Sequence, residues 1–406
     1  MADPGAATRG LARSRARTAS GSRQDRQPPG ILMLISHFSP AVGGTENQAF
    51  YLAGGLAGAG HRVTVLTLAR PGAPARETLD GVMIERALRG LGHGVVFAVT
   101  YGASLLRHLR RLRASHAILH AHHLYLEAMA AALVGLRAGL PTVAKVACGG
   151  LYGDFARLHR TGLAGGQPLL RRLSRVVAIS EEINGELLAH GFAPNRIAHI
   201  PNGVDVRRFA PAQDPDLARR QVGLGSETVL FLGRLDSQKG LETALTAWAR
   251  VAAKRPSAQL VFAGDGPARN ALETQARGAG FGEQVRFLGT RSDPGRLLQA
   301  SQLFLLPSKS EGISNALLEA MATGVACVAS RVGGNCEVLE HGVSGLLVPP
   351  GDAAALADAV VTLLEDEALR KRLGTAARIA TIERYGVDRM VRRYVHLYTE
   401  LAGEPV

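Results

Sequence analysis

The sequence predicts an α/β protein built as two facing Rossmann-like domains with a cleft between them. Three observations lead there. The length of 406 residues exceeds what one hydrophobic core ordinarily fills and fits two domains of roughly 150 to 200 residues each. Short apolar β-type runs alternate with helical stretches along most of the chain, the pattern of parallel sheets covered by helices. The alternation pauses at Pro201-Asn202-Gly203 and the polar linker Pro211-Ala212-Gln213-Asp214-Pro215, then restarts.

In the first half a strand is expected at Ile31–Ile35, followed by the turn Ala41-Val42-Gly43-Gly44-Thr45, a helix over Glu46–Ala57 and a strand over Arg62–Leu66. Further strands follow at Ala117–Leu119, Thr142–Val146, Val176–Ile179 and Ile197–Ile200. The second half repeats the scheme at Thr228–Leu232, Gln259–Ala263, Gln284–Leu288, Leu303–Leu306 and Ala326–Ala329, with closing helices over 352–366 and 386–402. The organisation read from this is a disordered basic tail over 1–30, a domain over 31–203, a second over 204–385, and a C-terminal helix in 386–406 returning toward the first domain.

Apolar residues make up 46% and charged residues 20% of the chain, a globular composition. No run approaches the ~20 apolar residues that span a bilayer. The first 30 residues lack the apolar core of a secretory signal, although their Arg-rich, acid-poor character also resembles a transit peptide. Cys148, Cys327 and Cys336 have no metal-type spacing, which suits a reduced, cytoplasmic setting. The net charge of +13 is uneven, with +4 in residues 1–30, +8 in 31–200 and +1 in 201–406. A basic first half suits an anionic membrane leaflet or a phosphorylated substrate. Nucleic acid is not expected, because no aromatic interleaving or recognition motif accompanies the charge.

The segment Ser308 to Ala322, SKSEGISNALLEAMA, carries the most chemistry. It follows the expected strand Leu303–Leu306, and Ser314 or Asn315 suits the N-cap of the next helix. Free amides of Asn315, Ala316 and Leu317 at that helix N-terminus would hold a phosphate. Glu319, about one turn in, would reach the vicinal hydroxyls of a ribose. Glu311, in the loop Glu311-Gly312-Ile313, would accept hydrogen bonds from a sugar ring. In the second domain, Arg234 and Lys239 of FLGRLDSQKG can converge on one diphosphate.

Two Glu separated by seven residues in the context EG…EAMA, here Glu311 to Ala322, resemble glycosyltransferase family 4 of the GT-B fold. The resemblance runs over about residues 31–402. It implies a retaining enzyme that takes a nucleotide diphosphate sugar, with UDP favoured and GDP next. The acceptor would be a glycan or lipid-linked molecule bound by the first domain, with the nucleotide sugar held by the second. Arg234 and Lys239 would neutralise the leaving diphosphate in place of a metal, so no cofactor is expected. The acidic pair Asp214 and Asp216 lies among linker prolines and makes no convincing metal site.

The resemblance also assigns Gly43 and Gly44, in a Gly-Gly-Thr-Glu context, to close approach by the donor. It places His122 of His120-Ala121-His122-His123 opposite the donor sugar, with His120 packed in the strand and His123 undecided. Asn202 would line the cleft or serve only the hinge, and Gln284–Thr290 would hold the base through main-chain contacts. Ala326 and Cys336 stand where the family often has Pro. The stretch Leu105–Arg113 sets Leu on one helical face and Arg on the other, as a peripheral membrane helix or a helix covering the core would. Lys145, Cys148-Gly149-Gly150, Tyr152, Asp154 and Arg157 form a polar acceptor loop. A phosphorylase, an epimerase, or a silent nucleotide-sugar-binding partner on the same scaffold remain the alternatives.

Overall fold

The computed structural model describes residues 29–39 and 43–403. The expected basic tail, up to residue 28, lies outside the described residues, as do Ala41 and Val42 of the first turn and positions 404–406.

Two sheets form among the described residues. The first contains β1 (Ile31–Leu34), β2 (Val63–Leu68), β3 (Arg76–Leu79), β4 (Val82–Leu88), β5 (Ile118–Ala121), β6 (Thr142–Val146), β7 (Arg175–Ala178) and β8 (Ile197–His199), in the order β3-β4-β2-β1-β5-β6-β7-β8. The second contains β9 (Thr228–Leu232), β10 (Gln259–Ala263), β11 (Val285–Gly289), β12 (Leu303–Leu306), β13 (Ala326–Ser330) and β14 (Leu346–Val348), in the order β11-β10-β9-β12-β13-β14. Every named pairing is parallel except β3 with β4. Central strands such as β1 and β9 are buried along their whole length. That is why they read as unbroken apolar runs rather than as alternation.

The hairpin β3–β4 was not among the expected strands. Its turn is Asp80-Gly81, both at positive φ (50° and 78°), the backbone that a two-residue turn between right-twisted strands requires. Four exposed or half-exposed residues in β3 gave no apolar signal to find it by. Strand β14 escaped because it is only three residues long.

The C-terminal helix Val387–Leu401 leaves the second domain and packs on the first. Met390, Val391, Tyr394, Leu397 and Tyr398 are buried against Ile31, Met33 and Leu52, and Tyr398 Oη lies 2.7 Å from His120 Nδ1. Each large side chain so buried contributes roughly 1.5 to 3 kcal/mol. The two crossings between the domains run side by side: Val204 N–H donates to Tyr385 O at 2.8 Å and Val387 N–H to Val204 O at 3.0 Å.

The stretch Leu105–Arg113 belongs to the helix Gly94–Leu112 and the short turn after it. Leu105 and Leu109 are fully buried, so the leucine face covers the core and does not face a membrane. The exposed apolar residues lie two turns earlier: Val95, Val96 and Val99, with Leu91 just ahead of the helix.

Candidate active site

A cleft of about 720 Å³ runs between the two sheets. The first domain contributes Gly43 to Gln48, Lys145, Ala147, Cys148 and the crossing residue Asn202 to its walls. The second contributes the loops after β9, β10, β11 and β12. Those loops stand at the carboxyl ends of parallel strands, where open α/β sheets bind ligands.

The loop after β12 ends in the helix Asn315–Thr323. Ser314 is its N-cap and its Oγ accepts from Leu317 N–H at 3.3 Å. This corrects the assignment of Leu317 to the phosphate site, since its amide is already satisfied and its side chain is buried. Asn315 and Ala316 do line the cleft, as do Gly312, Ile313 and Ser314. The Asn315 side chain reaches across to the first domain, donating to Gly44 O at 2.8 Å. Gln48 and Asn202 both donate to its Oδ1, at 3.1 and 2.9 Å.

Glu311 is nearly buried and its Oε1 accepts from Lys239 Nζ at 2.6 Å and from Ser308 Oγ at 2.6 Å. Lys239 sits in a single turn after β9, started by Asp236, whose carboxylate accepts from Gln238 N–H at 3.1 Å. Arg234, on the same loop, extends into the cleft with its Nε 3.4 Å from Asp236. Gln238 ties this loop to the next by donating to Ser310 O at 3.0 Å, while Lys309 N–H donates to Gln238 O at 2.8 Å. Arg234, Lys239 and a helix N-terminus therefore border one cavity that also holds the carboxylates of Glu311 and Glu319, the chemistry of a diphosphate linked to polyhydroxyl groups.

Glu319 faces the same cleft. Burial pushes its carboxyl up to about 7, against the opposing pull of Arg208. Lys145 is buried in β6, and burial pushes its ammonium down to about 7. It donates to Asn202 Oδ1 at 2.7 Å, and Asn202 in turn donates to Ile313 O at 3.1 Å. Asn202 thus does more than mark a hinge, because it joins the cleft's two walls.

His122 sits behind the cleft wall rather than in it. Its ring is buried, lies 4.3 Å from the His120 ring, and is absent from the cleft lining. It directly follows β5, the strand between β1 and β6, and among the described residues neither of its ring nitrogens has a hydrogen-bond partner. Burial, then the neighbouring His120, Lys145 and His123, holds its imidazole well below the ordinary value, which keeps it neutral. Of the expected acceptor loop, Lys145 and Cys148 line the cleft, whereas Tyr152, Asp154 and Arg157 do not. Asp154 is buried and accepts from Leu124 N–H at 3.3 Å, and Arg157 stacks over Tyr125.

Two family models together cover most of the chain. Glycosyl transferases group 1 matches residues 214–380 and Glycosyltransferase Family 4 matches residues 42–208. The chain is 30% identical over 391 residues to phosphatidyl-myo-inositol mannosyltransferase of Mycobacterium tuberculosis, covering 92% of this chain and 97% of that protein. The protein belongs to the group 1, family 4 glycosyltransferases. It is also 31% identical over 258 residues to N-acetyl-alpha-D-glucosaminyl L-malate synthase of Bacillus anthracis, covering 60% of this chain and 67% of that one. Its architecture is GT-B. Sucrose-phosphate synthase from Thermosynechococcus elongatus superposes with a TM-score of 0.80 at 24% identity, over 93% of this chain and all of that one. Anabaena HepE, solved with UDP and glucose, gives 0.77 at 22% identity over 92% and 100%. The protein is thus an enzyme of glycosyl transfer in glycoconjugate synthesis.

In this glycosyltransferase several residues in and behind the cleft wall were not among the expected site residues. Gln48 grips the crossing by accepting from Gly203 N–H at 3.0 Å and donating to Gly203 O at 2.7 Å. Gly333 and Gly334 back the Glu311 loop so closely that a Cβ on Gly334 would lie 1.4 Å from Gly312 O. Gly264, at φ 150°, passes under Gly233, and its neighbour Asp265 lines the cleft. The run Ala263-Gly264-Asp265-Gly266 was the available signal for that turn. Among the described residues no group of three or more His, Cys, Asp or Glu converges as a metal site. Asp214 instead caps the helix Pro215–Val222, and Asp216 pairs with Arg219.

Proposed function

We propose that this glycosyltransferase moves a hexose from a uridine diphosphate sugar to a glycan or lipid-linked acceptor, retaining the anomeric configuration and using no metal. The observation that carries the reading is the Lys239–Glu311 pair, set beside Arg234 and the N-terminus of the helix Asn315–Thr323. The UDP bound to HepE and the lipid acceptor in the mycobacterial relative's name support the donor and acceptor classes.

In this reading the bond from C1 of the sugar to the β-phosphate oxygen breaks while the acceptor oxygen bonds to C1 on the same face. The acceptor's proton passes to the departing phosphate. Arg234 and Lys239 stabilise the charge that develops there, an effect worth roughly 3 to 4 kcal/mol for one well-placed donor. Glu311 holds sugar hydroxyls and keeps Lys239 aimed, and Glu319 takes the ribose diol. The exposed valines of the helix Gly94–Leu112, with Arg107, Arg110 and Arg111 on the same helix, would seat the enzyme on an anionic inner membrane face, placing it in the cytoplasm as a peripheral protein.

The test is nucleotide release from UDP-glucose, UDP-N-acetylglucosamine and GDP-mannose in EDTA with a polar-lipid extract, followed by NMR of the product's anomeric centre. Transfer from a UDP sugar with retention is the expected result. Inversion, an absolute need for a divalent cation, or no turnover of any donor would overturn it.

A further inference from the structure

The donor cleft is not the first domain's only opening. A second cavity, about 840 Å³, lies at the carboxyl ends of β1, β2 and β4, lined among others by Phe38, Arg70, Leu88, Arg89 and Phe97. The connection from β1 to the helix Gly44–Gly58 borders both spaces, with residues 36–38 on this cavity and residues 43–48 on the donor cleft. A volume in this range suits a small-molecule site, and the ends of parallel strands are where such sheets take ligands.

We infer that this cavity is the acceptor subsite and that it takes an anionic amphiphile, a phosphate ester carrying an alkyl chain. The inference rests on the transferase reading above and names its acceptor.

Its chemistry is one-sided. Arg70, Arg86, Arg89 and His37 line it, and no Asp, Glu, Asn or Gln does. Arg86 is accounted for by the fold: it is buried, paired with Glu77 at 2.6 Å and donating to Ser39 O at 2.7 Å. Arg70 and Arg89 are exposed, and neither has a carboxylate within salt-bridge distance among the described residues. Two free guanidinium groups suit phosphate oxygens, which they can engage in bidentate fashion. Neutral glycans are commonly held by carboxylate and amide side chains, whereas beyond the arginines and His37 this wall has only the hydroxyls of Ser36 and Thr67 as polar side chains among the described residues.

The remaining wall is apolar. Phe97 stacks on Tyr101 with ring centroids 5.3 Å apart, and Leu88 and Phe38 are buried beside the opening. The cavity's edge at Leu91 continues into Val95, Val96 and Val99, which are 58 to 77% exposed. An alkyl chain leaving the cavity would follow that strip, where burying apolar surface favours it at roughly 25 cal/mol per Å². The floor is fixed rather than loose: Ser36 Oγ donates to the buried Glu127, which also accepts from Tyr101 Oη at 2.8 Å.

The experiment is calorimetric titration of the full-length enzyme with octyl phosphate below its micellar concentration, with octanol and inorganic phosphate as separate probes. It is run on wild type, on the double variant Arg70→Ala/Arg89→Ala and on Lys239→Ala, with UDP titrated in parallel. Octyl phosphate should bind at least tenfold more tightly than either probe alone. The double variant should lose at least tenfold of that affinity while keeping UDP affinity and the wild-type melting temperature. Equal binding of octanol or of inorganic phosphate would overturn the proposal. So would loss in Lys239→Ala with retention in the double variant, which would place the phosphate in the donor cleft. Failure of UDP to bind wild type would instead count against the transferase reading, so the two failures are distinguishable.

Discussion

Lys239 donates to Glu311 Oε1 at 2.6 Å, and Ser308 Oγ donates to the same oxygen at 2.6 Å. The carboxylate proposed to meet the sugar and the cation proposed to meet the phosphate therefore hold each other in place. Glu311→Gln keeps the shape and removes the charge, so kcat should fall about 100-fold, with KM for the donor changing much less. Lys239→Ala also leaves a nearly buried carboxylate without its partner, which costs stability as well as rate. Steady-state kinetics and thermal unfolding of both variants check this: Lys239→Ala should melt below Glu311→Gln.

Glu319 gives the nucleotide site a pH dependence. Its carboxyl is raised from 4.5 to about 7 by burial. Such a group favours the fold fully below its unfolded value, and that contribution is lost as pH rises through about 7. In the proposed reading the ribose diol donates to an ionised Glu319, so UDP affinity should rise up to tenfold per pH unit as pH climbs toward 7 and level off above it. Titrations at pH 5.5 to 8 should show this in wild type, together with proton release on binding. Glu319→Gln should show a flat profile.

Lys145 works in the opposite sense. Burial lowers its folded value from 10.5 to about 7, so its contribution to stability is present above 10.5 and is lost as pH falls through 7. Replacing it with Met removes a linkage slope that reaches at most ~1.4 kcal/mol per pH unit. Urea unfolding at pH 7, 8 and 9 should show the variant's advantage over wild type shrinking steadily as pH rises. A pH-independent difference would assign Lys145 a packing role alone.

The valine strip predicts a membrane phenotype separable from folding. Val95, Val96 and Val99 are exposed, so Val→Ser at all three should leave the melting temperature within a degree or two. It should weaken co-sedimentation with phosphatidylglycerol vesicles about tenfold or more, since burying each valine contributes roughly 1.5 kcal/mol or more. Changing Leu105 and Leu109 instead should unfold the domain, because both pack in its core.

The alternation of strands and helices was legible because strands buried on both faces are largely apolar, as β1 and β12 are throughout. The hairpin β3–β4 was not, since β3 lies at the sheet edge and β4 carries the buried Glu85 and Arg86 in mid-strand. The Glu311–Glu319 segment could be read because its groups are close in sequence. The link from Lys145 through Asn202 to Asn315 spans 57 and then 113 residues, and no local pattern encodes it. The burial of His122 was not legible for a related reason: a histidine after a strand gives no sign of how deep its ring lies. Leu317 misled because the sequence offers both Ser314 and Asn315 as the cap, and the choice of Ser314 is what takes up the Leu317 amide.

The most direct test of the account is calorimetric titration of wild type and Lys239→Ala with UDP in the presence of EDTA. Wild type should bind UDP without metal and gain about 2.7 kcal/mol of stability at ligand ~100-fold above its dissociation constant. Binding in the variant should be at least tenfold weaker. No binding of UDP by wild type, binding only when a divalent cation is restored, or equal affinity in the variant would contradict the assignment of this cleft.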